Sequence, residues 1–359
     1  MSRAARTDHH DAVLELLRGG DGPGAEQEAA WEALARRLAS ESLTGAAVTR
    51  LQTTGRWPEV PAAARRLLES DLNSVRVGQT VLFDRFASFA ACLHGADVPF
   101  IVHKGGALAD VVYERPEDRP MVDIDVIFRP EHWQRVRDAL RARRYRLPEG
   151  AGEAFWLENY FNISASSPDP PVAHFDLHWG LTQEGRYHVD TAELFERAVP
   201  YPSRLAGGAR VLRLGTEDLL LSLFLHLAYH YFEARLLWLY DMRLVIERCA
   251  PDWDVLQARA RGWGLSTVLA FNVAFLDKVF PGTVPTGVSA SCRAGTVRRA
   301  LTRPLLSGHP RHLFRFERNR LGQLVLGLAA IDRPFDMARF AAGKVMRSMR
   351  WAGRSPHRH

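Results

Sequence analysis

The spacing of the apolar residues changes twice along this chain of 359 residues, and this change constrains the fold more than any other feature. Residues 1–97 follow the 3.6-residue period of amphipathic helices, with breaks at Pro58 and Pro61. Short β-rich runs separated by turns follow in residues 98–214, and the helical period returns after Thr216. The sequence therefore predicts a small α/β core between two helical regions.

Five segments of the predicted core are rich in β-forming residues, and we predict that each contributes a strand. They are residues 98–102, 121–128, 154–166, 172–179 and 209–214. A glycine pair and a helical segment follow the first of them. The second ends shortly before Pro130, and proline suits the first position of a helix.

The composition excludes several classes of protein. Hydrophobic residues make up 47% and charged residues 25%, as in an ordinary globular chain. No apolar run approaches the roughly 20 residues of a membrane span, and the N-terminus lacks an apolar signal core. We therefore predict a cytoplasmic protein without a membrane segment. The three cysteines lack CxxC spacing, which argues against a disulfide framework and a zinc ribbon.

The positive charge of the chain is concentrated at its C-terminal end. Residues 293–359 carry a net charge of +12, so residues 1–292 carry −6, and the total is +6. A basic segment of this kind is typical of a polyanionic partner such as RNA or nucleotide phosphates, and equally of a solvated surface. We predict that residues 346–359 form a disordered basic tail.

Asp123 and Asp125 form the most informative pair in the sequence. Residues i and i+2 of a strand point to the same face, so both carboxylates project together while Ile124 and Val126 enter the core. Two adjacent carboxylates repel each other unless a cation lies between them, and Mg²⁺ commonly binds one or two carboxylates plus substrate phosphates. The alternative is an exposed strand face with two solvated aspartates.

Two further segments make a metal site more plausible. Gly105 and Gly106 stand between a predicted strand and a predicted helix, where backbone amides can hold phosphate oxygens. His174, Asp176 and His178 alternate along a later strand and share one face. Asp176 offers a third carboxylate from a neighbouring strand, and three carboxylates can hold two metal ions.

The segment HKGGALADVVYERPEDRPMVDIDVIF resembles the signature of the uncharacterised nucleotidyltransferase family, within the DNA polymerase beta-like nucleotidyltransferase superfamily. The pattern falls on Lys104, Gly105, Gly106, Tyr113, Arg119, Asp123 and Asp125. The resemblance covers roughly residues 75–250. It implies an α+β fold with a small mixed-sheet nucleotidyltransferase core, flanked by N- and C-terminal helical domains. The expected domains are residues 1–97, 98–214 and 215–345.

The resemblance also implies roles for individual residues. Asp123 and Asp125 would bind Mg²⁺ or Mn²⁺, and Asp176 would complete the site as a third ligand or as the general base. The expected nucleotide-binding residues are Lys104, Gly105, Gly106 and Arg119, with Lys104 as a point charge and Arg119 as a phosphate clamp. The glycine–serine turn that is usual in the superfamily is a glycine pair here, so it offers no serine hydroxyl to the phosphates.

The implied function is metal-dependent transfer of a nucleoside monophosphate from an NTP to an acceptor, with release of pyrophosphate. The acceptor could be a small molecule, a peptide or protein side chain, or an RNA end. The alternative is a non-catalytic nucleotide- or RNA-binding module on the same fold.

Two groups in the second helical region are better explained by packing than by chemistry. His226 and His230 lie four residues apart on a predicted helix, but their pattern is not a known zinc motif. We interpret them as packed residues, one of them close to the nucleotide base. Asp241 is expected to pair with Arg235 or Arg243, and the alternative is that it lines the acceptor pocket.

Overall fold

The computed structural model describes residues 5–183, 185–232, 235–292, 295–296, 298, 300 and 320–351. The helices are α1 (Ala5–Arg18), α2 (Glu28–Ser40), α3 (Thr44–Thr53), α4 (Ala62–Gly95), α5 (Lys104–Val111), α6 (Trp133–Ala142), α7 (Ala151–Asn159), α8 (Thr191–Glu196), α9 (Thr216–Tyr229), α10 (Leu236–Cys249), α11 (Trp253–Trp263), α12 (Ser266–Val279), α13 (Thr286–Ser291), α14 (Arg320–Ala329) and α15 (Pro334–Trp351). The strands are β1 (Phe100–His103), β2 (Asp123–Phe128), β3 (Asn162–Ser166), β4 (His174–His178), β5 (Val199–Pro202) and β6 (Arg210–Arg213).

The six strands form one mixed sheet in the order β3-β4-β2-β1-β6-β5. The strands β2 and β4 are parallel, as are β1 and β6, and the other three pairs are antiparallel. All six strands fall between residues 100 and 213, with helices before and after them. The predicted α+β class, with helices on both sides of a mixed-sheet core, is therefore confirmed. The division into three domains stays a prediction.

The long helix α4 covers the apolar face of the sheet. Phe89 stacks on Phe175 of β4 with 4.4 Å between the ring centroids, and Phe86 meets Phe100 of β1 edge to face at 6.4 Å. Because side chains alternate between the faces of a strand, the residues directly before and after Phe100 on β1 and Phe175 on β4 point away from α4. The polar residues of β1, β2 and β4 therefore share the opposite face.

The structure corrects the secondary structure predicted for residues 154–159. These residues belong to α7, and only Asn162–Ser166 form the strand β3. The aromatic residues of this segment resemble a strand pattern, but α7 is fixed by contacts that are distant in sequence. Glu153 accepts hydrogen bonds from Trp133, Arg137 and Arg141.

The strand β5 was not predicted. Its sequence, Val199 to Pro202, contains two prolines, which disfavour a central strand but are tolerated at a sheet edge. It lies at the edge beside β6, and the hydroxyl of Tyr201 donates to Asp110 at 3.2 Å. At the C-terminal end, α15 continues through Trp351, so residues 346–351 of the predicted tail are helical. Residues 352–359 lie outside the described residues. Among the residues described, no helix is long and apolar enough to span a membrane.

Candidate active site

A cleft of about 1940 Å³ opens over the polar face of the sheet. Residues of α4, including Gln79, and residues of α9 and α10 line the cleft together with the strand residues. Gln79 is buried and its amide donates to the carbonyl oxygen of Met121 at 2.9 Å, which ties α4 to the segment that leads into β2. The floor of the cleft carries the acidic residues predicted from the sequence.

The parallel pairing of β2 with β4 brings two of the predicted carboxylates together. Asp125 is directly opposite Asp176 in the register, so the expectation that Asp176 stands on a neighbouring strand is confirmed. Ligand atoms of Asp125, Asp176 and His178 all lie within 4.8 Å of one another. Asp123 is on the same face but opposite His174, at the start of β2, and it is not a member of this group. Two carboxylates and an imidazole form a donor set that suits a divalent cation.

Asp125 is the electrostatic centre of the site. Its Oδ1 atom accepts hydrogen bonds from Lys104 Nζ at 2.6 Å and from His178 Nε2 at 2.8 Å. Burial alone raises the pKa of Asp125, but the charge of Lys104 and the bond from His178 outweigh it and hold the pKa well below its usual value. Both bonds use the same oxygen, Oδ1, and the lowered pKa favours the ionised form of Asp125.

Asp123 has the opposite electrostatic character. Burial raises the pKa of Asp123 to about 6, and the negative charges of Asp125 and Asp176 add to this effect. This is the same-face repulsion that the sequence predicts. A cation bound beside these three residues would relieve it.

Asp176 is oriented by its own strand neighbour. The hydroxyl of Ser164 on β3 donates to Oδ1 of Asp176, and the amide of Asn162 lies 3.4 Å from Oδ2. His174 and His178 share the face of Asp176, as predicted, but they differ in environment. His174 is exposed and bonded to Ser166, whereas His178 is buried among the site residues. Only His178 therefore belongs to the site.

The turn between β1 and α5 differs from the expected glycine turn. Its positive φ value, +43°, is at Lys104, and neither glycine has one. A Cβ atom on Gly106 would lie 2.9 Å from Val102 Cγ1 and 3.2 Å from Ile124 Cγ2, so Gly106 faces the core. Gly105 lines the cleft, and a Cβ atom there would lie 2.6 Å from Nη1 of Arg119. The two glycines are thus needed for close packing on different sides.

Arg119 lines the cleft, but its guanidinium forms an ion pair with another buried side chain. Its Nη2 and Nε atoms donate to the two carboxylate oxygens of Asp241 at 2.7 and 3.2 Å, and both side chains are buried. The hydroxyl of Tyr113 also donates to Asp241, at 2.8 Å. The expectation that Asp241 pairs with Arg235 or Arg243 is therefore wrong. No local spacing links residue 119 to residue 241, so the sequence carried no signal for this pair.

Four histidines, His103, His178, His226 and His230, line the cleft. Burial lowers the pKa of His103 and of His178, and the nearby charge of Lys104 lowers both further. Desolvation likewise lowers the pKa of His226 well below its usual value. His226, His230 and Trp238 form a contiguous group of rings, but both histidines also line the cleft, and His230, directly after α9, is exposed. Their neighbour Glu233 lies outside the described residues.

The comparison with known proteins agrees with this architecture. Residues 27–281 match the family described as uncharacterised nucleotidyltransferase. This match spans well over half of the chain, and the protein belongs to that family.

A solved structure with a similar fold is the solution structure of the antibiotic-resistance factor ANT(2'')-Ia. It is 15% identical, with a TM-score of 0.36, and the match covers 51% of this chain and 92% of that one. This likeness is distant, and no substrate is inferred from it. No curated protein sequence matches the chain significantly.

Proposed function

We propose that this protein is a Mg²⁺-dependent nucleotidyltransferase, with Mn²⁺ as the substitute ion. It transfers a nucleoside monophosphate from an NTP to an acceptor nucleophile and releases pyrophosphate. The observation that carries the proposal is the register of β2 against β4, which sets Asp125 opposite Asp176 with His178 beside them. Family membership supplies the reaction class.

The site residues have distinct proposed tasks. Asp125 stays ionised and is the anchoring ligand, while Asp123 and Asp176 complete the acidic cluster. An Mg²⁺ ion held by these residues would polarise the phosphoryl group and neutralise charge on the triphosphate. Asp176, oriented by Ser164, is either a ligand or the group that takes the acceptor's proton. Lys104, whose ammonium lies 2.6 Å from Asp125, would contact a phosphate oxygen of the NTP as a point charge.

The metal site is tested by calorimetric titration with Mg²⁺ and Mn²⁺. Asp125→Asn and Asp176→Asn should each lower metal affinity, whereas His174→Ala should not, because His174 shares the face but is exposed and outside the group. Pyrophosphate release is then measured with each NTP and Mg²⁺ or Mn²⁺ in the presence of cell extract. Undiminished metal binding and turnover in Asp125→Asn would refute the proposal.

Comparing NTP affinity with the rate of transfer distinguishes the two proposed roles of Asp176, general base and metal ligand. If Asp176 acts as the general base, Asp176→Asn should leave NTP affinity nearly unchanged and lower transfer roughly 100-fold. If it is needed as a metal ligand, NTP affinity in Mg²⁺ should fall as well. His178→Asn is the parallel variant, because its imidazole contacts Asp125 directly.

The second candidate function is a non-catalytic nucleotide-binding module. It is favoured by the close ion pair of Lys104 with Asp125, which already neutralises the anchoring carboxylate, and by the missing serine in the glycine turn. Metal-dependent NTP binding without pyrophosphate release for any NTP would favour this function.

A further inference from the structure

A continuous row of aromatic rings lines the cleft beside the acidic site. It begins at the buried His178 of the acidic site and continues through Phe161 to Tyr229, with centroid distances of 5.7 and 5.6 Å. From Tyr229 it passes to His230 at 5.6 Å. Two shorter steps, of 4.7 and 4.6 Å, lead on to His226 and then to Trp238. All six rings line the cleft, and we call them the aromatic wall.

Most neighbouring rings of the aromatic wall meet edge to face, whereas Phe161 with His178 and His230 with Trp238 are tilted, at 41° and 48°. The interplanar angles are 67° between His226 and Trp238, 68° between His226 and His230, and 84° between Phe161 and Tyr229. An edge-to-face contact uses the edge of one ring, so the neighbour does not cover both flat faces. The wall therefore presents partly exposed aromatic surface, at His226, Tyr229 and Trp238, to a ligand in the cleft.

The surroundings distinguish this wall from the hydrophobic core. Core rings such as Phe86 and Phe89 have no exposed surface, whereas His226, Tyr229 and Trp238 are partly exposed inside the cleft. A volume of about 1940 Å³ also exceeds the roughly 300–1,000 Å³ of a typical small-molecule pocket. The cleft has room for more than the triphosphate that the acidic floor would hold.

We propose that the aromatic wall is a stacking subsite for a planar aromatic or heteroaromatic ring, with Trp238 as its main platform. The proposal deepens the proposed function, on which it rests. The ring is either the nucleobase of the NTP or a ring of the acceptor. The guanidinium carbon of Arg235 lies over the Trp238 ring, 5.5 Å from its centroid, so Arg235 covers one face of the indole and adds a positive charge to this part of the subsite.

The test compares Trp238→Ala and Trp238→Phe with Trp156→Ala in the full-length chain. Trp156 is a matched control because it is on α7, packs on Tyr160 at 4.4 Å and does not line the cleft. Binding of the four ribonucleosides, of ATP and of inorganic tripolyphosphate is measured by calorimetry. Circular dichroism verifies that each variant is folded, and Trp238→Phe retains a flat ring if the alanine variant does not fold.

If the nucleobase stacks on the wall, Trp238→Ala should weaken nucleoside and ATP binding roughly tenfold to a hundredfold, the range for loss of one stacked base. Tripolyphosphate binding should not change, and Trp238→Phe should recover most of the affinity. If the acceptor ring is the occupant, nucleoside and ATP binding stay unchanged. Binding of 4-methylphenol in the presence of saturating ATP then falls instead.

The proposal is overturned if Trp238→Ala matches Trp156→Ala for every nucleoside and for 4-methylphenol. Nucleosides carry no phosphate, so their binding is measured without metal and without turnover. A failure of the catalytic proposal, seen in Asp125→Asn, is therefore distinguishable from a failure of the stacking subsite.

Discussion

The ammonium nitrogen of Lys104 lies 2.6 Å from Oδ1 of Asp125. Lys104 itself has a positive φ value of +43°. A side chain at positive φ costs roughly 1–2 kcal/mol for a residue other than glycine. The backbone is therefore strained at the junction of β1 and α5. The same junction places the ammonium group of Lys104 against the carboxylate of Asp125. Strain of this kind is common at functional sites.

The strain at Lys104 can be separated from its charge. Lys104→Ala and Lys104→Gly both remove the contact with Asp125, but only glycine adopts the positive φ without a Cβ clash. Lys104→Gly should therefore be about 1 kcal/mol more stable than Lys104→Ala in urea denaturation. Both variants should lose NTP affinity to the same extent. Equal stability of the two would show that the junction is not strained.

The raised pKa of Asp123 predicts a pH-dependent stability. Between the ordinary pKa of an aspartate and the value of about 6, the folded protein binds more protons than the unfolded chain. The contribution of Asp123 to the free energy of unfolding is therefore fully present below this window and is lost as the pH rises through it. Asp123→Asn should remove this loss.

Urea denaturation in EDTA at pH 4 and pH 7.5 measures the effect. Since Asp123 is partly solvated, Asp123→Asn should be about 1 kcal/mol more stable than the wild type at the higher pH and nearly equal at the lower. Asp169→Asn, on the exposed loop before β4, is the control. A stability difference that is the same at both pH values would contradict the predicted repulsion.

The two glycines of the turn should respond differently to a methyl group. Gly106→Ala forces a Cβ atom against Val102 and Ile124, so we expect a loss of about 1–3 kcal/mol in the free energy of unfolding. Gly105→Ala displaces the guanidinium of Arg119, so we expect a smaller loss of stability and a larger loss of NTP affinity. Urea denaturation and NTP titration of both variants test this order. The reverse order would place the phosphate-facing backbone at Gly106.

The buried pair of Arg119 and Asp241 should be important for stability. Asp241→Asn leaves the guanidinium buried without its counterion, and we expect a loss of about 3–5 kcal/mol. Tyr113→Phe removes one hydrogen bond to the same carboxylate and should cost about 1 kcal/mol. Glu247→Gln breaks the pair with Arg243 on the surface of the same helix and should cost under about 1 kcal/mol. Thermal and urea denaturation give the three values.

If Arg119 also binds a phosphate, Arg119→Lys should lower NTP affinity by more than its loss of folding stability explains. The double variant Arg119→Lys with Asp241→Asn isolates the pair energy in a double-mutant cycle. An NTP affinity that is unchanged in a folded Arg119→Lys variant would assign this residue a structural role alone.

The order of helices and strands could be predicted from the sequence because it depends on local residue patterns. The 3.6-residue period of the N-terminal helices and the alternation in the DxD strand are set by neighbours along the chain. The same alternation placed Asp123 and Asp125 together on one face of their strand, and His174, Asp176 and His178 together on one face of theirs. Residues 154–159 were misread because aromatic residues occur in both helices and strands, and contacts from α6 to Glu153 decided between them.

The sequence alone determined that two carboxylates share a strand face and that a third stands on a nearby strand, because side-chain direction in a strand follows from residue number. Tertiary structure decided which of them meet. The parallel register of β2 on β4 set Asp125, not Asp123, opposite Asp176 and brought in His178. The pairing of Arg119 with Asp241 and the aromatic wall likewise join residues far apart in sequence. Such contacts depend on how whole helices pack, and no local spacing encodes that packing.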